Sequence, residues 1–322
     1  MSQLVSIGEM LIDFIPLEKG VELKDVSGFE KAPGGAPANV AAAVSRYGQA
    51  SKMITKLGTD AFGDFLVETL ERVGVDTRYV FRTNEANTAL AFVSLKSNGE
   101  RDFSFYRNPS ADLLLEAEEI EDSMVEAGDI LHFCSVDLVE SPMKYAHEKI
   151  IQLVHDKHGI VCFDPNVRLP LWPDHEQCRR TILEFIPKAH IVKISDEELE
   201  FITGIKDESA ALDSLFTGNV KVIVYTKGSK GASVITSSHS CSKEAFQVNA
   251  VDTTGAGDAF IGGFLSCLLR DGVTIAGLES YVEKNSDYLL AFSNASGALT
   301  TTRKGGISAL PTFEEIQQLL SE

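Results

Sequence analysis

The chain has 322 residues, of which 44% are hydrophobic and 24% charged, and its formal net charge at pH 7 is −18. This acidity argues against a nucleic-acid-binding surface, and no apolar run approaches the roughly 18 residues that a membrane span requires. Five cysteines without metal-binding spacing, together with an N-terminus that lacks a secretory signal, predict a cytoplasmic protein with reduced thiols.

The N-terminal part predicts two strands followed by a turn and a helix. The second strand contains Asp13, which is either a solvent-facing edge residue or a ligand contact at a strand end. Pro33, Gly34 and Gly35 predict a turn into a helix of small residues. That helix contains Asn39, although asparagine is a poor helix former. Asn39 therefore either faces solvent or contacts a ligand.

Residues 88–106 predict a β-hairpin with an Asn98-Gly99 turn. Insertions near 12–33 and 82–110 are accordingly expected to form a small β-sheet lid. The hairpin carries apolar residues on both faces, which would expose an apolar patch unless another surface covered it. We therefore expect a homodimer that forms through the lid.

From residue 130 onward, apolar strands alternate with amphipathic helices. This alternation predicts right-handed crossovers and a mainly parallel sheet covered by helices. The whole chain, residues 1–322, is expected to form one α/β domain that carries the lid. Each of three polar clusters, at 164–168, 227–231 and 252–258, follows a predicted strand. The strand predicted before the third cluster is 246–250. Ligands bind at the carboxyl ends of such strands, so the clusters predict a site there.

The glycine turn at 255–257 precedes a strongly apolar helix, and Asp258 lies in the first turn of that helix. A helix end of this kind binds anions through its free N–H groups, although this segment taken alone is more often a glycine turn in which the acid, here Asp258, helps to cap the helix. No segment matches a phosphate-binding GxxxxGK[ST] loop, and Phe260 occupies the third glycine of a dinucleotide fingerprint, which disfavours a dehydrogenase. Phosphoryl transfer, with an N–H anion hole and Asp258 as the base, suits these residues but is not a unique interpretation.

Two distant segments resemble the signatures of the ribokinase-like (PfkB) carbohydrate kinases. They are Pro-Gly-Gly-Ala-Pro-Ala-Asn-Val-Ala at 33–41 and Asp-Thr-Thr-Gly-Ala-Gly-Asp-Ala-Phe at 252–260. Residues 8–16, 105–112 and 164–172 look most like the bacterial fructokinase branch. The resemblance implies a three-layer α/β/α ribokinase-like fold with a mainly parallel central sheet and a small β-sheet lid. It also implies ATP-dependent phosphorylation of D-fructose to fructose 6-phosphate with Mg²⁺ and, in many members, K⁺.

The resemblance further implies roles for individual residues. The catalytic base would be Asp258, with the anion hole formed by Gly255, Ala256 and Gly257. The sugar site would comprise Asp13, Gly34, Gly35, Asn39, Arg107, Arg168 and Asp258. The ATP site would comprise Asn166, Lys193, Thr226, Gly228, Gly231, Gly255, Gly257 and Asn294. Glu198 would place Mg²⁺ through water, although Ser195 stands where the family motif has asparagine. The K⁺ site, formed partly by backbone oxygens, would comprise Asp252, Thr254, Thr300, Arg303 and Gly305.

Other activities stay open at this point. A 2-keto-3-deoxygluconate kinase or a riboside kinase of the same family is the principal alternative, because few residues separate the substrates. An acid sugar would require more positive charge in the pocket, which Arg107 and Arg168 do not exclude. A sugar or nucleotide sensor without catalysis is a hypothesis of a different class. It predicts loss of the base, whereas Asp258 is present.

Overall fold

A nine-stranded sheet and a separate four-stranded sheet organise the chain, as seen in a computed structural model that describes residues 2–18, 20–95 and 101–321. The strands are β1 (Leu4–Ile7), β2 (Leu11–Pro16), β3 (Phe29–Gly34), β4 (Ser51–Gly58), β5 (Asp76–Thr83), β6 (Ala89–Leu95), β7 (Arg101–Tyr106), β8 (Ile130–Cys134), β9 (Ile160–Asp164), β10 (Ile191–Ser195), β11 (Val222–Thr226), β12 (Ala232–Ile235) and β13 (Ser240–Lys243). The α-helices are α1 (Ala36–Arg46), α2 (Ala61–Arg72), α3 (Pro142–Asp156), α4 (His175–Phe185), α5 (Asp196–Thr203), α6 (Glu208–Ser214), α7 (Ala256–Arg270), α8 (Leu278–Thr301) and α9 (Phe313–Ser321).

The large sheet has the strand order β13-β12-β11-β10-β9-β8-β1-β4-β5. Its strands from β11 to β5 are parallel, and β12 and β13 add antiparallel strands at one edge. One apolar core lies between this sheet and α1, α7 and α8, and a second lies on the opposite face against α3, α4 and α5. Burial on both faces explains why the central strands are almost wholly apolar. The predicted three-layer α/β/α arrangement is confirmed.

The four-stranded sheet, hereafter the lid, has the order β3-β2-β6-β7. Strand β2 pairs antiparallel with β3 and parallel with β6, and β6 pairs antiparallel with β7. The rings of Phe14 and Phe92 stack at 4.6 Å, and Phe14 also meets the edge of Phe62 of α2 at 5.8 Å. The lid predicted from the hairpin and the earlier insertion is confirmed. The predicted Asn98-Gly99 turn lies outside the described residues.

Two local predictions are wrong. Pro33 and Gly34 do not form a turn, because they pair with Ile12 and Leu11 at the end of β3 and only Gly35 changes the chain direction. Residues 246–250 form no strand. The Nδ2 of Asn294 donates to the carbonyls of Lys243 and Glu244 at 3.2 Å each, so a side chain of α8 holds the chain where β13 ends.

No single helix in the described residues is long and apolar enough to cross a membrane. The segments Ala256–Arg270 and Ile275–Thr301 meet that criterion of length and composition only as a pair, and a bend of 107° separates them. The five cysteines are all free, and four of them are buried.

Candidate active site

The start of α7 is shaped by Gly255, which has φ 76° and occupies the N-cap position without a capping side chain. A Cβ on Gly255 would lie 3.1 Å from the Cα of Gly306. A side chain here would therefore be strained by the positive φ and would also press against the backbone of Gly306. Asp258 lies in the first turn but does not cap α7. The N–H of Ala256 donates to the Thr253 carbonyl at 3.3 Å. The N–H groups of Gly257 and Asp258 follow in the first turn, at the positive end of the helix dipole, where they can bind an anion.

Asp258 is held by Asn39 of α1, whose Nδ2 donates to Asp258 Oδ2 at 2.7 Å. Asn39 is 5% exposed, so it is not the solvent-facing asparagine that the sequence left open. Burial raises the pKa of Asp258, while the Asn39 hydrogen bond and the positive charges of Lys193 and Arg168 lower it in part. The net result is a carboxylate that is more basic than an ordinary aspartate.

Asp13 lies next to the backbone of Gly34, because a Cβ built on Gly34 would be 2.2 Å from Asp13 Oδ2. Gly35 has φ 105°, and a Cβ there would be 2.4 Å from the Glu9 carbonyl oxygen. Gly35 therefore requires glycine, because both its φ and a backbone oxygen exclude a side chain, whereas a side chain at Gly34 would have to displace those of Asp13 and Leu11. The arrangement brings a carboxylate and bare backbone to the start of α1, the helix that carries Asn39.

The two arginines predicted for the sugar site have different surroundings. Arg168 is exposed and follows β9, and its charge acts on Asp258. The side chain of Arg107 is 5% exposed and forms ion pairs with Asp112 and Asp137. Arg168 is therefore near enough for its charge to act on Asp258, whereas the guanidinium of Arg107 is surrounded by buried carboxylates.

A cavity of about 420 Å³ lies beside the first turn of α7. Six residues predicted for the ATP site line it: Lys193, Thr226, Gly228, Gly231, Gly257 and Asn294. Gly255 and Asn166 are not among its lining residues. Sequence reasoning missed the apolar part of the wall, formed by Phe246, Val248, Ala250, Phe260 and Ala298. The alternating apolar residues at 246–250 were the signal in the sequence for this wall, but the same alternation is typical of a strand.

Lys193 projects into this region from β10, and its Nζ lies 2.9 Å from Asp164 Oδ2 at the end of β9. A Cβ on Gly257 would be 3.4 Å from the same Nζ, so the ammonium group lies directly against the first turn of α7. Burial disfavours its charge, but the neighbouring carboxylates of Asp164, Glu198 and Asp258 raise the pKa of Lys193 above its ordinary value. The chain thus places a fixed positive charge beside the glycine turn.

Glu198 forms a capping box at the start of α5. Its Oε2 accepts from Ser195 Oγ at 2.7 Å and from Ser195 N at 3.0 Å, and its Oε1 accepts from Val167 N at 2.7 Å. Burial favours the neutral acid, but Lys193 and these hydrogen bonds lower the pKa of Glu198 below its ordinary value. Ser195, the departure from the family motif, therefore helps to keep Glu198 ionised and oriented.

Asp252 connects the segment before α7 with the segment after α8. Its Oδ1 accepts from Thr254 N at 3.0 Å and Thr254 Oγ1 at 2.7 Å, and its Oδ2 accepts from Gly305 N at 3.0 Å. Thr300 is buried within α8, while the Arg303 side chain pairs with Glu315. Of the residues predicted for a K⁺ site, the structure thus joins Asp252, Thr254 and Gly305 by direct contacts.

Comparison with known proteins places this geometry in a family. The model of pfkB family carbohydrate kinases matches residues 1–313. Fructokinase-2 of Oryza sativa subsp. japonica is 45% identical over 321 residues, covering 99% of this chain and 94% of that protein. A fructokinase from Xylella fastidiosa with bound ATP has a TM-score of 0.91 and 33% identity, covering 99% of this chain and 98% of that one. A fructokinase from Vibrio cholerae O395 in fructose, ADP and calcium ion bound form has a TM-score of 0.88 and 32% identity, covering 99% of each chain. Because the family model spans nearly its whole length, this chain belongs to the pfkB family of carbohydrate kinases.

Proposed function

We propose that this protein is an ATP-dependent fructokinase, which transfers the γ-phosphoryl group of ATP to the 6-hydroxyl of D-fructose. The position of Asp258 carries the proposal. Its carboxylate accepts a hydrogen bond from Asn39 of α1, the helix that begins directly after Gly34 and Gly35, and Asp258 directly follows Gly257, which lines the cavity. Relatives that carry the name fructokinase match this chain almost from end to end, which supports fructose as the acceptor.

The chemistry follows from the arrangement of charge. The 6-hydroxyl oxygen forms a bond to the γ-phosphorus, the bond from that phosphorus to the β,γ-bridging oxygen breaks, and ADP leaves. Asp258 accepts the hydroxyl proton, and its raised pKa makes it a better acceptor than an ordinary aspartate. The N–H groups of Gly255 and Gly257, with the ammonium of Lys193, stabilise the charge on the transferring phosphoryl oxygens. The N–H of Ala256, the third residue predicted for the anion hole, instead donates to the Thr253 carbonyl at 3.3 Å.

Two cation sites belong to the proposal. Glu198 is ionised and held by three hydrogen bonds, which fits a residue that positions Mg²⁺ through water. Bound Mg²⁺ would neutralise charge on the phosphates of ATP. Asp252 and Thr254, together with backbone oxygens near Thr300, Arg303 and Gly305, offer the all-oxygen ligand set that suits a hard cation such as K⁺.

The surroundings of Arg107 favour a neutral sugar over an acid sugar. Its charge is compensated by Asp112 and Asp137, so it offers little positive potential to a substrate carboxylate. Arg168 is the other predicted arginine, and it is exposed. This supports D-fructose above 2-keto-3-deoxygluconate, while a riboside would meet the same short polar groups.

An assay of ADP release across fructose, glucose, ribose, 2-keto-3-deoxygluconate and a riboside tests the assignment. We expect the highest kcat/KM with fructose, and background rates with every sugar would refute a kinase. In Asp258→Asn we expect kcat to fall by about 10²–10⁴-fold, the usual contribution of a general base. Substantially retained turnover would remove Asp258 from that role.

A homodimer that forms through the lid, in the cytoplasm, completes the proposal. Leu17 and Tyr106 of the lid region are 68% and 63% exposed, and apolar side chains of this size favour coverage by a second copy. The five free cysteines accord with a reducing compartment. Light scattering at micromolar concentration should give twice the chain mass, and a monomeric mass would contradict the dimer.

A further inference from the structure

Arg107 is the centre of a buried ion cluster at the base of the lid. Its guanidinium contacts the carboxylates of Asp112 and Asp137, whose side chains are 1% and 0% exposed, and its Nε donates to Ser110 Oγ at 3.4 Å. A third carboxylate, Glu9, is 3% exposed and interacts electrostatically with both Arg107 and Asp137. These four charged residues are hereafter the lid-base cluster: Glu9, Arg107, Asp112 and Asp137.

The cluster lies where the chain passes between the lid and the large sheet. Arg107 directly follows β7, Asp137 follows β8, and Glu9 lies in the link from β1 to β2. The Oε1 of Glu9 accepts from Ala36 N at 3.1 Å, at the point where the chain leaves β3 for α1. One set of charges therefore joins three of the passages into or out of the lid to the large sheet.

The fourth passage is attached to the same region through the backbone. The backbone carbonyl of Asn87, two residues before the lid strand β6, accepts a hydrogen bond from Ala111 N at 2.9 Å. Ala111 lies next to Asp112 of the cluster. A change in the position of the cluster would therefore displace the backbone at every junction between the lid and the large sheet.

The lid-base cluster is also in direct contact with the backbone of the candidate sugar site. A Cβ on Gly35 would be 2.4 Å from the Glu9 carbonyl oxygen, so these two backbones touch. Gly35 begins α1, which places Asn39 against Asp258, and Gly34 lies against Asp13. The relative position of Asp13 and Asp258 thus depends on how the lid is held at its base.

We propose that Arg107 is a positioning residue that does not contact the sugar: through Glu9, Asp112 and Asp137 it fixes the lid so that Asp13 faces Asp258. The proposal rests on the sugar-kinase function proposed above. A guanidinium suits this position because Nη2 donates to both carboxylates while Nε donates to Ser110 Oγ, and a single ammonium nitrogen cannot reproduce this spread of donors. Misalignment of reacting groups by about 1 Å can cost about a hundredfold in rate.

The test compares Arg107→Met with Asp137→Asn, since the second variant leaves Arg107 in place and weakens only its anchor. If Arg107 positions the lid, both variants lose kcat/KM for fructose by about tenfold to a hundredfold, with kcat falling as well as KM rising. Hydrogen exchange at the amides of β2, β3 and β6 becomes faster in both, while ADP affinity measured by calorimetry is unchanged. Arg107→Lys should restore only part of the activity lost in Arg107→Met.

Arg78→Met is the matched control, because Arg78 pairs with Asp76 in an exposed position on the edge strand β5. It should keep the kcat/KM and lid exchange of the original protein. Loss of kcat/KM in Arg107→Met with unchanged activity and exchange in Asp137→Asn would overturn the proposal and assign Arg107 to sugar contact. Unchanged activity and exchange in both would overturn it as well.

Two features keep the experiment decisive. If Asp137→Asn does not fold, Asp112→Asn removes the other anchor and is subject to the same criteria. Lid exchange and ADP affinity do not depend on the identity of the sugar, so the positioning role can be judged even if fructose is not the substrate. Failure of the proposed function would appear instead as background ADP release by the unaltered protein with every sugar.

Discussion

The hydrogen bond from Asn39 to Asp258 offers a quantitative test of the active-site chemistry. Asn39→Ala removes a donor that lies 2.7 Å from Asp258 Oδ2 and stabilises its ionised form. A hydrogen bond to a charged group contributes about 1.5–3 kcal/mol. Its loss removes that much stabilisation of the ionised form and therefore raises the pKa of Asp258 further above its ordinary value.

The assay is the pH dependence of kcat/KM for fructose. An aspartate acts as a base only when ionised, so a higher pKa of Asp258 moves the acid limb of the profile to higher pH. Asn39 also belongs to the predicted sugar site, so the plateau should fall as well. The position of the limb, rather than the height of the plateau, reports the pKa.

The fold should tolerate this substitution. The Oδ1 of Asn39 is buried and accepts no hydrogen bond from the described residues, so alanine removes an unpaired acceptor together with the donor. Asn285→Ala is the matched control, because Asn285 also lies within a helix and its side chain donates to the Tyr281 carbonyl at 2.8 Å, away from Asp258. An acid limb at the same pH in Asn39→Ala, Asn285→Ala and the original protein would refute the role of Asn39.

Three further predictions concern the backbone, a buried histidine and the cation site. Gly35→Ala should lower the free energy of unfolding by more than Gly48→Ala, which costs about 1–2 kcal/mol for its positive φ alone. Of these two glycines, Gly35 is the one at which a Cβ would lie 2.4 Å from a carbonyl oxygen. Equal denaturant midpoints for the two variants would contradict this contact. Burial lowers the pKa of His147 to about 4 from 6.5, so acidification through this range protonates the unfolded chain first and destabilises the fold by up to about 3 kcal/mol. His147→Leu should flatten that part of the stability profile, and an unchanged slope would show that His147 titrates normally. Replacing Na⁺ by K⁺ should raise activity in the original protein and have no effect in Asp252→Ala; equal activation of both would place K⁺ elsewhere.

Much of the architecture follows from local patterns in the sequence. Alternating apolar strands and helices predicted the parallel sheet and its two helical layers, because covered faces need apolar residues at regular spacing. The glycine turn before α7 was also recognisable, since few residues other than glycine adopt the φ of 76° found at Gly255. The strand predicted at 246–250 shows where such patterns fail. Its apolar side chains line a cavity, and the spacing of apolar residues alone does not distinguish the wall of a cavity from a strand in a sheet.

Local patterns were enough to predict most of the helices and strands, the family and the residue types of the candidate site. The contacts between these residues depend on how the elements pack, because contacts between distant segments leave no periodic signal in either segment. Asn39 and Asp258 are 219 positions apart, and only the packing of α1 against α7 makes them partners. The same holds for Arg107: its charge was visible in the sequence, but its direction was set by Asp112 and Asp137, since a buried guanidinium must lie where carboxylates can compensate it.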